Sequence, residues 1–371
     1  MFWDDLIDVS DPRWLETLQR LPQHDFYHLP AYVALEAERR GGIPRAYICQ
    51  DDRGIFMVPF VLSPVPLVLQ PTGIAPSDVL APYGYAGPLL QFNGDERETR
   101  QFLTMALARL AEHLRHRNIC AILLRFHPLL SLPLEPFKAM GRLVMHGETV
   151  WSDLRLTPEQ LWSETRSRYR SYIRALQRDG YTVELDPAGK ELDAFIALYY
   201  DSMNRVGAGP EYYFSRSYFR SLQKLLGERF MLAYVRSPSG AIVSSGIFTL
   251  CHGIVQYHLS GNNIGDEGSN ALKLLLHSLR LWAKEQGYAQ FHLGGGVGAL
   301  NDPLFQFKSG FSPARAPFYT WRYIVDEEKY ADLNLQWERI NRSIADSVTG
   351  YFPAYRKILP PVETPDVRVC A

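Results

Sequence analysis

The chain has 371 residues, of which 46% are hydrophobic and 21% are charged, as in soluble globular proteins, and this length is enough for two domains. Its formal net charge of −1 excludes a globally basic nucleic-acid-binding protein and leaves only a local basic patch compatible with such a partner. Four scattered cysteines form no Cys-x-x-Cys pair, which argues against a structural zinc site.

Features of the N-terminal third predict a protein that is not inserted in a membrane. The chain begins without the basic segment of a signal peptide. Its longest uncharged run, 55–77, contains five prolines, which would break a membrane-spanning helix. Because the scattered cysteines fit a reducing compartment, we expect a soluble, cytoplasmic protein.

The first half of the chain predicts a β-hairpin, a helix and a further strand. Strands over 46–49 and 55–62 flank the turn Asp-Asp-Arg-Gly, and an irregular proline-rich segment follows them. A helix over about 96–117 then leads to a strand over 119–126. We expect another helix near 30–40, before the hairpin.

The second half repeats this order. A hairpin over 230–250, a strand over 254–260, a helix over 269–286 and a strand over 288–293 form a unit that ends at three glycines. The predicted fold class is therefore α/β, with two tandem domains that each contain a mixed, twisted sheet flanked by helices. Their predicted bounds are 1–147 and 148–325, and a helical tail over 326–371 is expected to pack back on the body.

Lysine and glycine residues near the end of the second half predict an anion-binding site. Gly294–Gly296 follow the last strand of the repeat, and Lys308 lies among Phe305, Phe307 and Phe311. Glycines at a strand end let a substrate approach the backbone, and an ammonium among apolar groups is weakly screened by water. The alternative is a glycine-rich turn beside a lysine that extends from an aromatic core.

Arginines recur along a helix predicted over 157–179. They are Arg166, Arg168, Arg170, Arg174 and Arg178. Four of them are spaced by four residues, which places them on one drifting stripe. Guanidinium groups match phosphate oxygens, so the stripe suits RNA or a nucleotide-linked substrate. The alternative is a solvated helix face.

Aromatic residues gather in three further segments. Those around Arg216 are Tyr212, Tyr213, Phe214, Tyr218 and Phe219, which either line a substrate groove or, as we favour, belong to the core. Tyr257, in the strand before the predicted helix, is expected to face the cleft between the halves. So is Tyr83, in the loop Tyr-Gly-Tyr-Ala-Gly-Pro.

Motifs of several other enzyme classes are absent from the sequence. There is no His-Glu-x-x-His metal motif, no Gly-x-Ser-x-Gly nucleophile turn and no phosphate-binding Gly-x-x-x-x-Gly-Lys-Ser/Thr loop. A proline-interrupted segment, instead of a helix, follows the glycine run, so this is no dinucleotide-binding fingerprint. We expect neither a metal nor another resident cofactor.

The chain resembles the FemAB-like aminoacyltransferases of the peptidoglycan-bridge type, which belong to the GNAT acyltransferase superfamily and carry two such domains in tandem. The resemblance covers roughly residues 20–325. It is carried by the loop 82–88, the arginine-rich helix ending at 173–180, the helix 269–287, the three glycines and the segment Phe-Gln-Phe-Lys-Ser-Gly-Phe at 305–311. The last of these is the most specific.

This resemblance implies transfer of an amino acid from aminoacyl-tRNA to an amine of a peptidoglycan precursor or, as in some relatives, of a peptide-like antibiotic. Lys308 matches the lysine that assists the transfer in the family, and Arg39 or Arg40 is the candidate for its basic residue near the first helix. The residues implied in substrate binding are Phe307, Gly294, Gly295, Gly296, Tyr257, Tyr213, Arg216, Tyr218 and Tyr83. The arginine stripe would contact tRNA, the co-substrate.

Two alternatives from the sequence compete with this function. An acyl-CoA-dependent N-acyltransferase of the same superfamily would need a pyrophosphate-binding loop before the helix at 269–286. The loop 262–268 has a different glycine spacing and two acids, Asp266 and Glu267, which would repel pyrophosphate. The other alternative is a non-catalytic binding protein, and the glycine run with Lys308 argues against it.

Overall fold

The computed structural model describes residues 2–69, 75–263, 265, 270–341 and 350–358, which form a mixed α/β fold. The first half contains β1 (Trp3–Ile7), α1 (Arg13–Arg20), α2 (Pro30–Arg40), β2 (Ile43–Gln50), β3 (Gly54–Pro64), β4 (Ser77–Leu80), β5 (Leu89–Phe92), α3 (Glu96–Arg115), β6 (Ile119–Arg125) and α4 (Glu135–Met140). The predicted strands and helices of this half are present with slightly different ends.

The second half begins with a long strand and again contains a hairpin, a helix and a returning strand. Its elements are β7 (Arg142–Asp153), α5 (Pro158–Glu164), α6 (Ser167–Arg178), β8 (Thr182–Asp186), α7 (Leu192–Val206), α8 (Arg216–Leu226), β9 (Phe230–Arg236), β10 (Ile242–Cys251), β11 (Ile254–Asn262), α9 (Ala271–Glu285), β12 (Gln290–Gly294), α10 (Pro303–Lys308), β13 (Arg315–Ile324) and α11 (Glu327–Asn341).

The strands join in one large mixed sheet. Their order is β1-β2-β3-β4-β6-β13-β7-β12-β11-β10-β9-β8, and β5 pairs with β3 beside this path. Two pairs are parallel, β4 with β6 and β11 with β12, and helices α3 and α9 lie in the connections between them. The predicted α/β fold class, with a mixed sheet flanked by helices in each of two similar halves, is confirmed.

Helix α9 shows why the predicted pattern succeeds. Leu275, Leu276 and Leu279 recur at helical spacing and are completely buried against the sheet. In the first half, Leu103 and Leu107 of α3 are buried in the same way. Each apolar helix face therefore covers the sheet next to a parallel strand pair, whose carboxyl ends are the usual place for a ligand in such sheets.

Strands β7 and β13 join the two halves at the centre of the sheet. They pair antiparallel from Arg315 opposite Val150 to Arg322 opposite Arg142, and β13 also pairs with β6 of the first half. The expected boundary at 147/148 therefore falls inside β7, a continuous strand. The division into 1–147, 148–325 and 326–371 stays a prediction.

The helix predicted over 157–179 is two helices, and that prediction is wrong in this respect. Thr165, between α5 and α6, has extended backbone angles of −71° and 131°. Its hydroxyl accepts a hydrogen bond of 2.9 Å from Arg280, a fully buried guanidinium that also donates to the carbonyl of Phe311 at 2.8 Å. The break follows from this tertiary contact, which a local pattern does not contain.

The described part of the C-terminal segment contacts the first half. Helix α11 buries Leu333 and Trp337, and its predicted continuation over 342–347 lies outside the described residues. Beyond it, Tyr355 and Arg356 donate hydrogen bonds to the buried carboxylate of Asp78. No helix in the described ranges is long and apolar enough to cross a membrane.

Candidate active site

The three glycines lie where β12 leaves the sheet. The pairing of β12 with β7 shifts register between His292 and Gly294, and Gly294 has a positive φ of 77°. A Cβ atom on Gly294 would lie 3.4 Å from both the Nζ of Lys308 and the hydroxyl of Tyr85. The positive φ would strain any residue with a side chain here, which explains the glycine, and the missing side chain leaves the backbone beside these two groups.

Lys308 is a buried cation at the end of α10. Asp302 caps this helix through a 2.8 Å hydrogen bond from the backbone N–H of Phe305, which places Lys308 against the glycines. Its side chain is 8% exposed, and its Nζ donates to the carbonyl of Gly295 at 2.6 Å. No carboxylate within the described ranges forms an ion pair with it.

Burial lowers the pKa of Lys308 from its usual 10.5 to about 8, because the charged form loses its hydration. The negative charge of Asp302 opposes this change and is the smaller effect. The Nζ also lies 5.7 Å from the centre of the Tyr257 ring, which favours a cation. Lys308 is therefore mostly an ammonium at neutral pH, and mild alkali removes its proton.

Tyr85 brings the first half of the chain to this lysine. The backbone N–H of Gly295 donates to the Tyr85 hydroxyl, and burial raises the pKa of that hydroxyl. The ring of Tyr85 contacts His292 of β12 and Phe318 of β13, at centroid distances of 5.2 and 5.4 Å. The loop around Tyr83 therefore reaches the glycines, and residues of both halves form the site.

Two buried histidines beside Tyr85 escaped the sequence analysis. His292 Nδ1 lies 2.5 Å from Oε1 of Gln256, and burial holds the pKa of His292 well below 6.5, with the neighbouring charges of His127 and Lys308 adding to this effect. His127 Nε2 lies 3.0 Å from the buried carboxylate of Asp25. In the sequence each histidine is only a polar residue within or just after a buried strand. The sequence does not show that His127 contacts both Asp25 and His292.

A buried carboxylate, Glu36 of α2, organises the residues expected near the first helix. It pairs with Arg39 at 2.8 Å and with Arg40 at 3.5 Å. It also accepts hydrogen bonds from the backbone N–H of Tyr83 at 3.0 Å and from the hydroxyl of Tyr218 at 3.1 Å. Tyr218 is thus a buried contact between α8 and α2, and Tyr83 is held half-buried at the cleft.

Other predicted substrate residues lie apart from Lys308. Tyr213 is exposed and donates to Asn204 at 2.9 Å, and Arg216 is exposed on α8 opposite Asp193 at 3.4 Å. Phe307 precedes Lys308 in α10 and packs against the ring of Tyr169 at a centroid distance of 6.0 Å. The structure brings together Lys308, the three glycines, Tyr257 and the Tyr83 loop.

The five arginines divide into two groups. Arg166 precedes α6 and donates to the carbonyl of Gln306 at 2.9 Å, and Arg170 donates to three carbonyls at the end of α5. Arg168, Arg174 and Arg178 are exposed on α6. Arg168 contacts Tyr172, Arg174 lies over the ring of Trp162, and Arg178 reaches Asp179. Arg166 therefore lies outside the helix, whereas Arg170, Arg174 and Arg178 keep the predicted four-residue spacing along α6, and the contact with tRNA stays a prediction.

No group of three His, Cys, Asp or Glu side chains in the described part of the chain could hold a metal ion. The loop 262–268, on which the argument against acyl-CoA depends, lies largely outside the described residues, since only 262, 263 and 265 belong to them.

Comparison with known proteins matches residues 163–308, which end at Lys308, to the model of the acetyltransferase (GNAT) domain family. No curated protein sequence matches the chain. Among solved structures, FemX shares the fold with a TM-score of 0.65 and 15% identity, over 88% of this chain and 99% of FemX.

Two further solved structures are similar at low identity. L-PGS from Bacillus licheniformis has a TM-score of 0.53 and 15% identity, over 89% of this chain and 97% of L-PGS. A tandem GNAT protein from the clavulanic acid biosynthesis pathway has a TM-score of 0.50 and 12% identity, over 88% of this chain and 99% of that protein. The predicted resemblance to FemAB-like members of the GNAT acyltransferase superfamily is confirmed at the level of the fold.

Proposed function

We propose that this protein is an aminoacyltransferase that moves an amino acid from aminoacyl-tRNA to an amine of a peptidoglycan precursor or a peptide-like natural product. The observation that carries the proposal is the buried ammonium of Lys308, which has no carboxylate partner in the described ranges and lies beside the glycines of β12. A cationic donor of this kind stabilises negative charge that develops on an acyl group.

The reaction joins the acceptor amine to the carbonyl carbon of the aminoacyl ester. The amine nitrogen forms the new bond, the carbonyl oxygen becomes an oxyanion, and the ester C–O bond to the tRNA ribose then breaks. The nitrogen loses a proton and the departing ribose oxygen gains one, so no other reactant is needed. Because the ester is already activated, positioning and charge stabilisation supply most of the catalysis.

Lys308 would donate to the oxyanion or to the departing ribose oxygen. Its pKa of about 8 keeps it protonated at neutral pH while making it a better proton donor than an exposed lysine. Loss of one such donor lowers the rate by roughly 10²–10³-fold in other acyl-transfer enzymes.

The exposed arginines of α6 are the proposed contact for tRNA. Arg174 and Arg178 are one helical turn apart and both are exposed, so their guanidinium groups are available to phosphates. Arg168 adds a third exposed cation. In contrast, Arg166 and Arg170 donate hydrogen bonds to backbone carbonyls and stabilise the break between α5 and α6. An aminoacyl-tRNA donor also implies a cytoplasmic location.

The donor is identified by a transfer assay with labelled aminoacyl-tRNA. Purified protein is incubated with a mixture of aminoacyl-tRNAs and candidate amine acceptors, with and without ribonuclease, and parallel reactions contain acyl-CoA. Amide product that disappears after ribonuclease treatment supports the proposal. Product that forms from acyl-CoA and is insensitive to ribonuclease contradicts it.

The role of Lys308 is tested with Lys308→Met, which removes the charge at similar side-chain volume. We expect transfer to slow by about 10²–10³-fold without loss of the folded state. Lys284→Met is the matched control, because Lys284 also donates to a backbone carbonyl, that of Leu154 at 3.0 Å, at the far end of α9. Equal transfer rates for the two variants would contradict the catalytic role of Lys308.

The role of α6 is tested with the double reversal Arg174→Glu and Arg178→Glu. We expect weaker binding of aminoacyl-tRNA and a smaller dependence of its binding constant on salt concentration, because fewer phosphates are neutralised. Arg97→Glu with Arg100→Glu, on α3 of the first half, makes the same change in net charge as a control. An unchanged salt slope in the α6 variant would show that this helix face is only solvated.

An acyl-CoA-dependent N-acyltransferase is the second candidate. The observation that favours it is the match of residues 163–308 to the acetyltransferase family model. It uses the same amine chemistry, so the ribonuclease arm of the transfer assay decides between the donors. A non-catalytic binding protein on this fold is the third candidate, and absence of product from either donor would support it.

A further inference from the structure

Arg125 occupies a place in the first half that corresponds to the glycines in the second. It is the last residue of β6, which pairs in parallel with β4, as β12 pairs in parallel with β11 and ends at Gly294. Both residues therefore lie at the carboxyl end of a strand in a parallel pair. This end is where ligands bind in open α/β sheets.

The guanidinium of Arg125 has no hydrogen-bond or ion-pair partner in the described ranges. Its Nε is shielded from solvent without an acceptor, and the guanidinium packs on the ring of Phe318, with its central carbon 5.4 Å from the centroid. Only the Nε of this half-buried guanidinium is shut off from solvent, so its terminal nitrogens are available to an anionic ligand.

The charges around Arg125 favour an anion. Arg40 lies close enough that Arg125 contributes to lowering the pKa of Arg40, for which burial is the main cause. The carboxylate nearest to Arg40 is Glu36, and Glu36 already pairs with Arg39 as well as Arg40. Glu36 thus pairs with two arginines, and no carboxylate in the described ranges forms an ion pair with Arg125.

The loop that carries Tyr83 runs beside Arg125. The backbone N–H of Ala81 donates to the carbonyl of Leu123 at 2.9 Å, and a Cβ atom on Gly87 would lie 3.0 Å from the carbonyl oxygen of Arg125. The side chain of Tyr83 is half-buried, and its hydroxyl has no hydrogen-bond partner among the residues that the structure describes. A hydroxyl donor and a planar guanidinium suit the oxygens of a carboxylate or a phosphate.

Phe318 and Tyr85 connect this place to Lys308. The ring of Phe318 contacts the guanidinium of Arg125 on one side and the ring of Tyr85 on the other, at 5.4 Å in each case. The hydroxyl of Tyr85 accepts a hydrogen bond from the backbone N–H of Gly295, and the carbonyl of Gly295 accepts one from Lys308. Two side chains, Phe318 and Tyr85, therefore connect the unpaired guanidinium to the proposed catalytic ammonium.

We propose that Arg125, with Tyr83 in the loop beside it, forms an oxyanion subsite that holds a carboxylate or phosphate of the acceptor while its amine reaches the acyl carbonyl beside Lys308. The inference rests on the proposed transfer to an amine and adds that the acceptor carries an anionic group. It explains why an arginine is placed in the cleft without a protein partner.

The first test measures binding without transfer. Phenylglyoxal modifies accessible arginines, and peptide mass spectrometry follows Arg125 and, as an internal control, Arg142, an exposed arginine of β7. Glutarate or inorganic phosphate should slow the labelling of Arg125 several-fold relative to sodium chloride at equal ionic strength, with Arg142 unchanged. The more protective anion identifies the preferred oxyanion. An Arg125 that is not labelled, or that neither anion protects, overturns the proposal.

The second test compares acceptors of equal length, an ω-amino acid, the matching aminoalkyl phosphate and the matching uncharged amide, with the wild type, Arg125→Gln and Arg125→Lys. We expect Arg125→Gln to raise KM for the anionic acceptors by about 10- to 100-fold with little change in kcat, and Arg125→Lys to have a smaller effect. An unchanged KM in Arg125→Gln contradicts the acceptor role.

Failure of the proposed function is distinguishable from failure of this subsite. If the wild type transfers to none of the acceptors from either donor, the aminoacyltransferase proposal fails, while protection of Arg125 from phenylglyoxal still supports an oxyanion site. If transfer occurs with equal preference for charged and uncharged acceptors, the function stands and the subsite is rejected.

Discussion

Replacement of Lys308 by methionine should change how the stability of the protein depends on pH. Burial lowers the pKa of Lys308 from 10.5 to about 8 in the folded state. Between about pH 8 and pH 10.5 the unfolded chain therefore binds more protons than the folded one, so the free energy of unfolding rises with pH in this window. Below about pH 8 the buried ammonium is fully charged, and its desolvation lowers the free energy of unfolding by the full amount.

The size of the effect follows from the two pKa values. A pKa that differs by one between the folded and unfolded chain changes the free energy of unfolding by about 1.36 kcal/mol, so the penalty near neutral pH is about 3 kcal/mol. The stability of the wild type relative to Lys308→Met should rise by about 2 kcal/mol from about pH 7 to about pH 9.5. Lys308→Met also loses the hydrogen bond to Gly295, which shifts the free energy of unfolding by the same amount at every pH. The informative quantity is therefore the slope of the stability difference against pH.

Urea unfolding at a series of pH values, followed by tryptophan fluorescence, measures this difference. Lys284→Met is run in parallel, because it also deletes a lysine that donates to a carbonyl. A difference between the wild type and Lys308→Met that is flat across this range, or that falls as pH rises, would refute the argument that Lys308 is a desolvated cation.

Three other outcomes are expected. The transfer rate should fall about tenfold per pH unit above about pH 8, as the Lys308 ammonium is lost, and this limb should be missing from the residual activity of Lys308→Met. Arg170→Ala should lower the free energy of unfolding by about 1–2 kcal/mol in urea titrations, because three carbonyls lose a donor. The control Arg168→Ala should change it by less than about 0.5 kcal/mol, and equal effects of the two variants would contradict this. Arg356→Met should destabilise the protein by about 3 kcal/mol, since it leaves the buried Asp78 carboxylate without its cation, and a double variant that adds Asp78→Asn should recover part of the loss in thermal unfolding.

The sequence pattern predicted correctly those features of a helix or strand that depend only on its own residues. Leu275, Leu276 and Leu279 determine which face of α9 is buried, and that face follows from helical spacing alone. The prediction of one helix over 157–179 was wrong because the break at Thr165 depends on Arg280, which lies more than a hundred residues later. A window of neighbouring residues contains no trace of that contact.

The candidate site shows the same division. Lys308 and the glycines of β12 were evident as an aromatic-flanked lysine and a glycine run, and the structure joins them through the bond from Lys308 to Gly295. The burial that lowers the pKa of Lys308 was not evident, because burial is a property of the assembled sheet. Arg125 was predicted only as part of the strand over 119–126, and His127 was given no role.

The sequence by itself determined the α/β plan of two similar halves and the glycine–lysine pair, because hydrophobic period and glycine placement are local properties. Only the tertiary structure decided that β13 pairs with β6 and β7 at the centre of the sheet, because strand pairing at long range depends on every other strand. That arrangement brings Phe318 into contact with both Arg125 and Tyr85, and so connects an unpaired guanidinium to the site of the lysine.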